Sequence, residues 1–128
     1  MNRKKKLFLK SNKIKILVFA KLGSKRLKDK ILLKINNKSI LEILIERLNK
    51  FFSDEIILCT TNKNNKEVLS IARKNKIKYF CGSEKNLFKR IIDCQKNFNF
   101  SHFVRITADN PLTDIKNIYL LCKKHIQS

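Results

Sequence analysis

Apolar positions along this chain follow two rhythms. Four short runs are apolar almost throughout: KILVFA at 15–20, EIILCTT at 55–61, IKYFC at 77–81 and HFVRIT at 102–107. β-branched and aromatic residues dominate them, which predicts strands. Between the runs, apolar residues recur every three or four positions, as on one face of a helix. Ser39 with Glu42 three residues on makes a capping-box pattern, after which Ile40, Leu41, Leu44, Ile45, Leu48 and Phe52 share a face. A second helix fits 64–75 through Val68, Leu69, Ile71 and Ala72, and a third fits 84–97 with Leu87, Phe88, Ile91 and Ile92 inward. The last starts near Asp114 and carries Ile115, Ile118, Leu121 and Cys122. Phe51, Phe52, Phe88 and Phe98 all read as core members of these helices.

The resulting order, β-α-β-α-β-α-β-α, with strands that are mostly apolar rather than alternating, predicts an α/β domain whose parallel sheet is covered on both faces. Ligands of such sheets bind at the carboxyl ends of the strands, where strand order reverses. Two segments leave strands at that edge. FAKLGSKRLKDK at 19–30 follows the first strand and crowds five cations around one of the chain's two glycines. Gly23 tolerates positive φ and close backbone approach, Ser24 offers a hydroxyl, and Lys21, Arg26 and Lys30 supply charge, a combination suited to a polyphosphate. The segment matches neither GxxxxGK[ST] nor GxGxxG, so the two commoner phosphate loops are excluded. The plain alternative is a strand-ending glycine among solvated lysines.

RITADNPL at 105–112 follows the fourth strand. A carboxylate there, Asp109, beside a polyphosphate loop is suited to Mg²⁺; alone it also reads as part of an Asp-Asn-Pro turn. Asp114 reads as a helix cap rather than a ligand.

Composition changes this picture little. With 128 residues, 43% hydrophobic and 31% charged, the chain is sized and composed as one globular domain. A formal net charge of +20 points toward a polyanionic partner such as nucleic acid. The lysines are spread along the chain rather than gathered in a stripe, and Lys, Asn and Ile abound together, as A+T-rich coding produces. The four cysteines form no CxxC pair and share no metal-ligand spacing with the two histidines, so they read as small apolar residues of a reduced, cytoplasmic protein. The first residues, 1–13, read as a loose basic tail, and ILVFA is too short for a membrane span.

KLGSKRL…K at 21–30, GSEKNLFKR at 82–90 and RITADNPLTD at 105–114 resemble, in order, the motifs of cytidylyltransferases that make CMP-activated acidic sugars. The likeness is to the branch of spore-coat polysaccharide biosynthesis proteins, related to CMP-KDO and acylneuraminate cytidylyltransferases. The resemblance implies a Rossmann-like, GT-A-like nucleotidyltransferase fold over 14–128, of three α/β/α layers, corresponding to the N-terminal, nucleotide-binding part of such a domain. It implies CTP, Mg²⁺ and an acidic sugar as partners rather than nucleic acid, and it admits a homodimer. Under it, Lys21, Arg26 and Lys30 are catalytic; Leu22, Gly23, Ser24, Arg26, Lys30 and Ser83 bind nucleotide, with the Gly82–Ser83–Glu84 segment near cytosine and ribose; and Asp109 holds the metal. CMP would pass from CTP to a sugar hydroxyl with release of pyrophosphate. Relatives continue for roughly another hundred residues with further metal and sugar ligands, so nucleotide binding is expected ahead of catalysis in this chain. Sugar-phosphate uridylyl- and guanylyltransferases share the architecture. Three positions depart from the family pattern: Lys21 replaces arginine, Lys28-Asp29 replaces Pro-Gly, and Asn86 replaces aspartate.

Overall fold

The computed structural model describes residues 3–21, 30–62, 65–109 and 113–128. Its centre is a parallel sheet of four strands: β1 (Ile14–Phe19), β4 (Ile56–Thr61), β5 (Lys78–Gly82) and β6 (His102–Thr107). The order across the sheet is β5-β4-β1-β6. The chain therefore builds outward from β1 in one direction, then returns to lay β6 on the other side of β1. All six residues of β4 are buried, and β1 is nearly so, which is why both read as continuous apolar runs. The four expected strands match those observed to within a residue or two at each end.

One face of the sheet carries Ile14, Ile16, Val18, Ala20, Ile56, Leu58, Ile106 and Ala108 into the larger core. Helices α2 (Ile40–Phe52), α3 (Lys66–Lys74) and α5 (Ile115–Gln127) cover it. Ser39 caps α2 as its sequence requires: the Glu42 N–H donates to Ser39 Oγ at 3.0 Å. The Glu42 carboxylate turns away from that turn and lies 2.7 Å from Lys74 Nζ, joining α2 to α3. The other face, with Leu17, Ile57 and Cys59, packs on Cys94 of α4 (Leu87–Phe98) and on Phe100. Among the described elements α4 is the one helix on this side, so Phe103, Arg105 and Thr107 of β6 stay exposed beside it.

Two expectations are corrected, and one further element is found. Residues 3–11 are not a loose tail: α1 (Arg3–Ser11) buries Leu9 completely in the larger core and sets Phe8 edge-on to Tyr119 of α5. Two apolar side chains suffice to dock a helix whose remaining faces are basic and solvated. Between β1 and α2 lies a two-stranded hairpin, β2 (Lys34–Ile35) and β3 (Lys38–Ser39), turned by Asn36 and Asn37 at φ 51° and 69°. Positive φ at both central residues is the type I′ signature that asparagine tolerates. Finally, Phe51 and Phe88 are exposed, Phe88 at 77%, and so is Ile92, whereas Phe52 is buried and Phe98 half-buried. The inward stripe of α4 runs through Arg90 and Cys94 instead.

Candidate functional site

Strand order reverses between β1 and β6, and the two strands are paired along their full length, from Ile14↔His102 to Phe19↔Thr107. They end level: the Ala108 N–H donates to Phe19 O at 3.1 Å, and the Ala20 N–H to Cys59 O of β4 at 2.9 Å. Lys21 and Asp109 are each the second residue beyond the Phe19–Thr107 pair. The basic segment and the candidate metal carboxylate thus leave neighbouring strands, about 5 Å apart, on the same edge of the sheet. Asp109 is half-buried and Lys21 exposed.

The third motif reaches the same edge two strands away. Gly82 ends β5, and Lys21 Nζ donates to the Glu84 backbone oxygen at 3.2 Å. Gly82 is there for a steric reason, since a Cβ at this position would come within 2.7 Å of Arg90 Cγ and 2.8 Å of a Phe80 ring carbon. Ser83 is half-buried, and its Oγ accepts the Asn86 N–H at 3.2 Å. Asn86 then caps α4, its Oδ1 accepting the Lys89 N–H at 3.0 Å. Asparagine and aspartate are equivalent caps, so the departure from the family's aspartate leaves this turn intact.

Lys30 is exposed at the start of a 3₁₀ turn, Lys30–Leu32, whose Ile31 is buried and anchors the far end of the basic segment. Leu22, Gly23, Ser24 and Arg26 lie outside the described residues. Asp114 caps α5, with Oδ1 accepting the Asn117 N–H at 3.3 Å and Oδ2 the Asn117 side-chain amide at 2.9 Å, in keeping with its reading as a cap.

Two arginines near this edge were not singled out by sequence reasoning. Arg105, within the RITADNPL motif, places its guanidinium 5.1 Å from the centre of the Phe19 ring, on the open face of the sheet. Arg90, inside GSEKNLFKR, is buried, with 6% of its surface exposed, and its Nε has no hydrogen-bond partner among the described residues. The fixed charge of Arg90 lies close enough to the Cys59 thiol to favour its ionisation, yet a contact with Cys94 Sγ at 3.7 Å and burial outweigh that and hold Cys59 far above the ordinary thiol range. No group of three or more His, Cys, Asp or Glu among the described residues is arranged to hold a metal ion. Nor is any described helix long and apolar enough to cross a membrane. Among the described residues this edge offers the Lys21 ammonium, the Ser83 hydroxyl and the Asp109 carboxylate around the ends of three strands, a set suited to a polyphosphate.

Comparison with known proteins points the same way. The family model described as cytidylyltransferase matches residues 15–128. An uncharacterised protein of Methanocaldococcus jannaschii is 43% identical over 104 residues, covering 80% of this chain and 43% of its own length. The spore coat polysaccharide biosynthesis protein SpsF of Bacillus subtilis is 27% identical over 120 residues, covering 89% of this chain and 50% of its own. Among solved structures, a cytidylyltransferase from Leptospira borgpetersenii superposes with a TM-score of 0.85 at 35% identity, over 91% of this chain and 50% of that one. CMP:2-keto-3-deoxy-manno-octonic acid synthetase, solved with CTP, superposes with a TM-score of 0.74 at 18% identity over 91% of this chain and 48% of that one, a likeness of fold. The chain spans about half the length of the relatives it matches.

Proposed function

The chain belongs to the cytidylyltransferase family, and from that premise we propose that it binds CTP at the carboxyl edge of its sheet, as the nucleotide-binding half of an enzyme that transfers CMP to an acidic sugar for surface polysaccharide synthesis. The observation that supports this most directly is the level, in-register ending of β1 and β6 at the reversal of strand order, from which Lys21 and Asp109 follow on one edge of the sheet.

In this reading Lys21, Arg26 and Lys30 receive the triphosphate together with Leu22, Gly23 and Ser24, and Ser83 contributes a hydroxyl near the nucleoside. Mg²⁺ favours one or two carboxylates together with phosphate oxygens and water, so a single half-buried Asp109 beside a polyphosphate suits it without a preformed cage. Bound there, the ion would neutralise phosphate charge. The sugar hydroxyl forms a new bond to the α-phosphorus, the bond from that phosphorus to the β-phosphate bridging oxygen breaks, and pyrophosphate departs while the hydroxyl proton passes to solvent or base. Lys21 and Arg26 offset the charge that grows on the departing oxygen. Four cysteines, all unpaired, suit the reducing cytoplasm, where CTP is available.

Calorimetry with CTP tests this. The parent chain is expected to bind CTP more tightly with Mg²⁺ than without, and Asp109→Ala to lose that enhancement while keeping weak, salt-sensitive binding through the cations. No saturable binding of CTP by the parent in the presence of Mg²⁺ would remove the proposal, and equal binding of UTP and GTP would remove its cytidine specificity.

A further inference from the structure

The histidines, 23 residues apart in sequence, meet in space. His102 opens β6, where its backbone N–H is tied to Lys13 O at 3.2 Å. His125 stands in the last turn of α5, three residues after Cys122, whose buried side chain seats that helix on the sheet. The two rings meet edge-on, centroids 5.0 Å apart and planes at 76°, with His102 Nδ1 3.1 Å from His125 Nε2. They lie in a groove of about 280 Å³ between the outer edge of β6 and α5, whose lining includes Arg105 and Cys122.

We propose that His102 and His125 form a surface site for a borderline divalent metal of the Zn²⁺, Ni²⁺ or Cu²⁺ class, chelated by both imidazoles and completed by water. Two nitrogens bound at about 2.05 Å lie about 3.3 Å apart around a tetrahedral ion and about 2.9 Å apart around an octahedral one. The observed 3.1 Å falls between these values. In the metal-free neutral pair, the N–H of one facing nitrogen donates a hydrogen bond to the lone pair of the other. Metal binding moves that proton to the far nitrogen of its own ring, so both lone pairs turn toward the ion and no net proton is lost from a neutral pair.

The surroundings select the metal class. A chain of net charge +20, with Arg105 in the groove and no carboxylate among the groove's lining residues, repels a hard ion held only by charge. Mg²⁺ and Ca²⁺ are therefore refused, whereas imidazole–metal bonds of the softer ions have a covalent component that survives in a basic setting. Cys122 lines the same groove without completing a set of three donors. This site is separate from the Asp109 edge: His102 opens β6, and Asp109 lies two residues beyond its far end, Thr107.

The experiment is a Zn²⁺ titration of the full chain against a chromogenic competitor, with long-range ¹H–¹⁵N spectra of the imidazoles. One equivalent is expected to bind, both rings shifting together; His102→Ala and His125→Ala should each weaken it by about tenfold or more, the scale on which metal sites respond to lost supporting groups. Cys122→Ser should leave it unchanged, and excess Mg²⁺ should not displace it. Absence of saturable Zn²⁺ binding, parent affinity in either histidine variant, or loss of binding in Cys122→Ser would overturn the assignment.

Discussion

Lys21 Nζ donates to the carbonyl oxygen of Glu84 at 3.2 Å, tying the exit of β1 to the exit of β5 across the end of β4. A mobile cation is thereby parked between two segments that the proposed nucleotide would touch. Its hydrogen bond to a neutral carbonyl is easily exchanged for one to phosphate. Lys21→Met is expected to lower CTP affinity about tenfold, the value of one charge-assisted contact. Because Lys21 is exposed, the unfolding free energy should stay within about 0.5 kcal/mol of the parent. Calorimetry and urea unfolding on the same variant separate the two effects.

Gly82→Ala should act on folding. The new methyl would meet Arg90 Cγ and the Phe80 ring at distances no Cβ adopts, and the Arg90 stem is itself buried and has little room to yield. Overpacking of this kind costs about 1–3 kcal/mol. A urea midpoint equal to that of the parent would show that α4 can shift away from β5 without loss.

The α2 cap is a second stability handle. Ser39 is buried and its Oγ takes the Glu42 N–H, so Ser39→Ala leaves that donor without its partner in a closed setting. A loss of about 1 kcal/mol is expected by thermal or denaturant unfolding.

Thiol chemistry should sort the four cysteines. Burial raises the Cys122 and Cys81 thiols, and Cys59 is raised by its contact with Cys94 and by burial, so none of the three favours thiolate at neutral pH. Cys94 is fully buried, which denies reagents access whatever its ionisation. Cys81 alone is partly accessible. A disulfide reagent should therefore label one thiol slowly in the native protein and four after unfolding; rapid native labelling of Cys59 or Cys94 would contradict the packing of α4.

The sequence carried much of this. Continuous apolar runs located β1 and β4 because buried parallel strands have no polar face, and Ser39, Glu42 and Asp114 marked helix starts through local chemistry alone. Strand order was not written in any one segment, since it depends on which edge the chain returns to after β5. The Asn36–Asn37 turn joins strands of two residues each, too short to show alternation in the sequence. Residues 3–11 read as a tail because five cations outweigh two apolar contacts in any average, yet Leu9 and Phe8 decide the docking. On α4 the apolar residues Phe88 and Ile92 point outward because Arg90 and Cys94 take the inner stripe, a choice made by the space beside Gly82 and Cys59. At the site, the order of motifs identified the edge, while the Lys21–Glu84 link and the Arg105–Phe19 contact join residues far apart in sequence.

Coverage of one face of the sheet by α4 alone, which leaves β6 open beside it, has a colloidal consequence. Among the described strands β6 has a neighbour on one side only, and its outer rim, with Phe103 exposed, is a ready template for backbone pairing with another molecule, the first step toward fibres. Every copy, however, brings +20 to such an encounter, and Arg105 sits on the rim itself. The lysine excess therefore works against self-pairing at this rim of the described sheet.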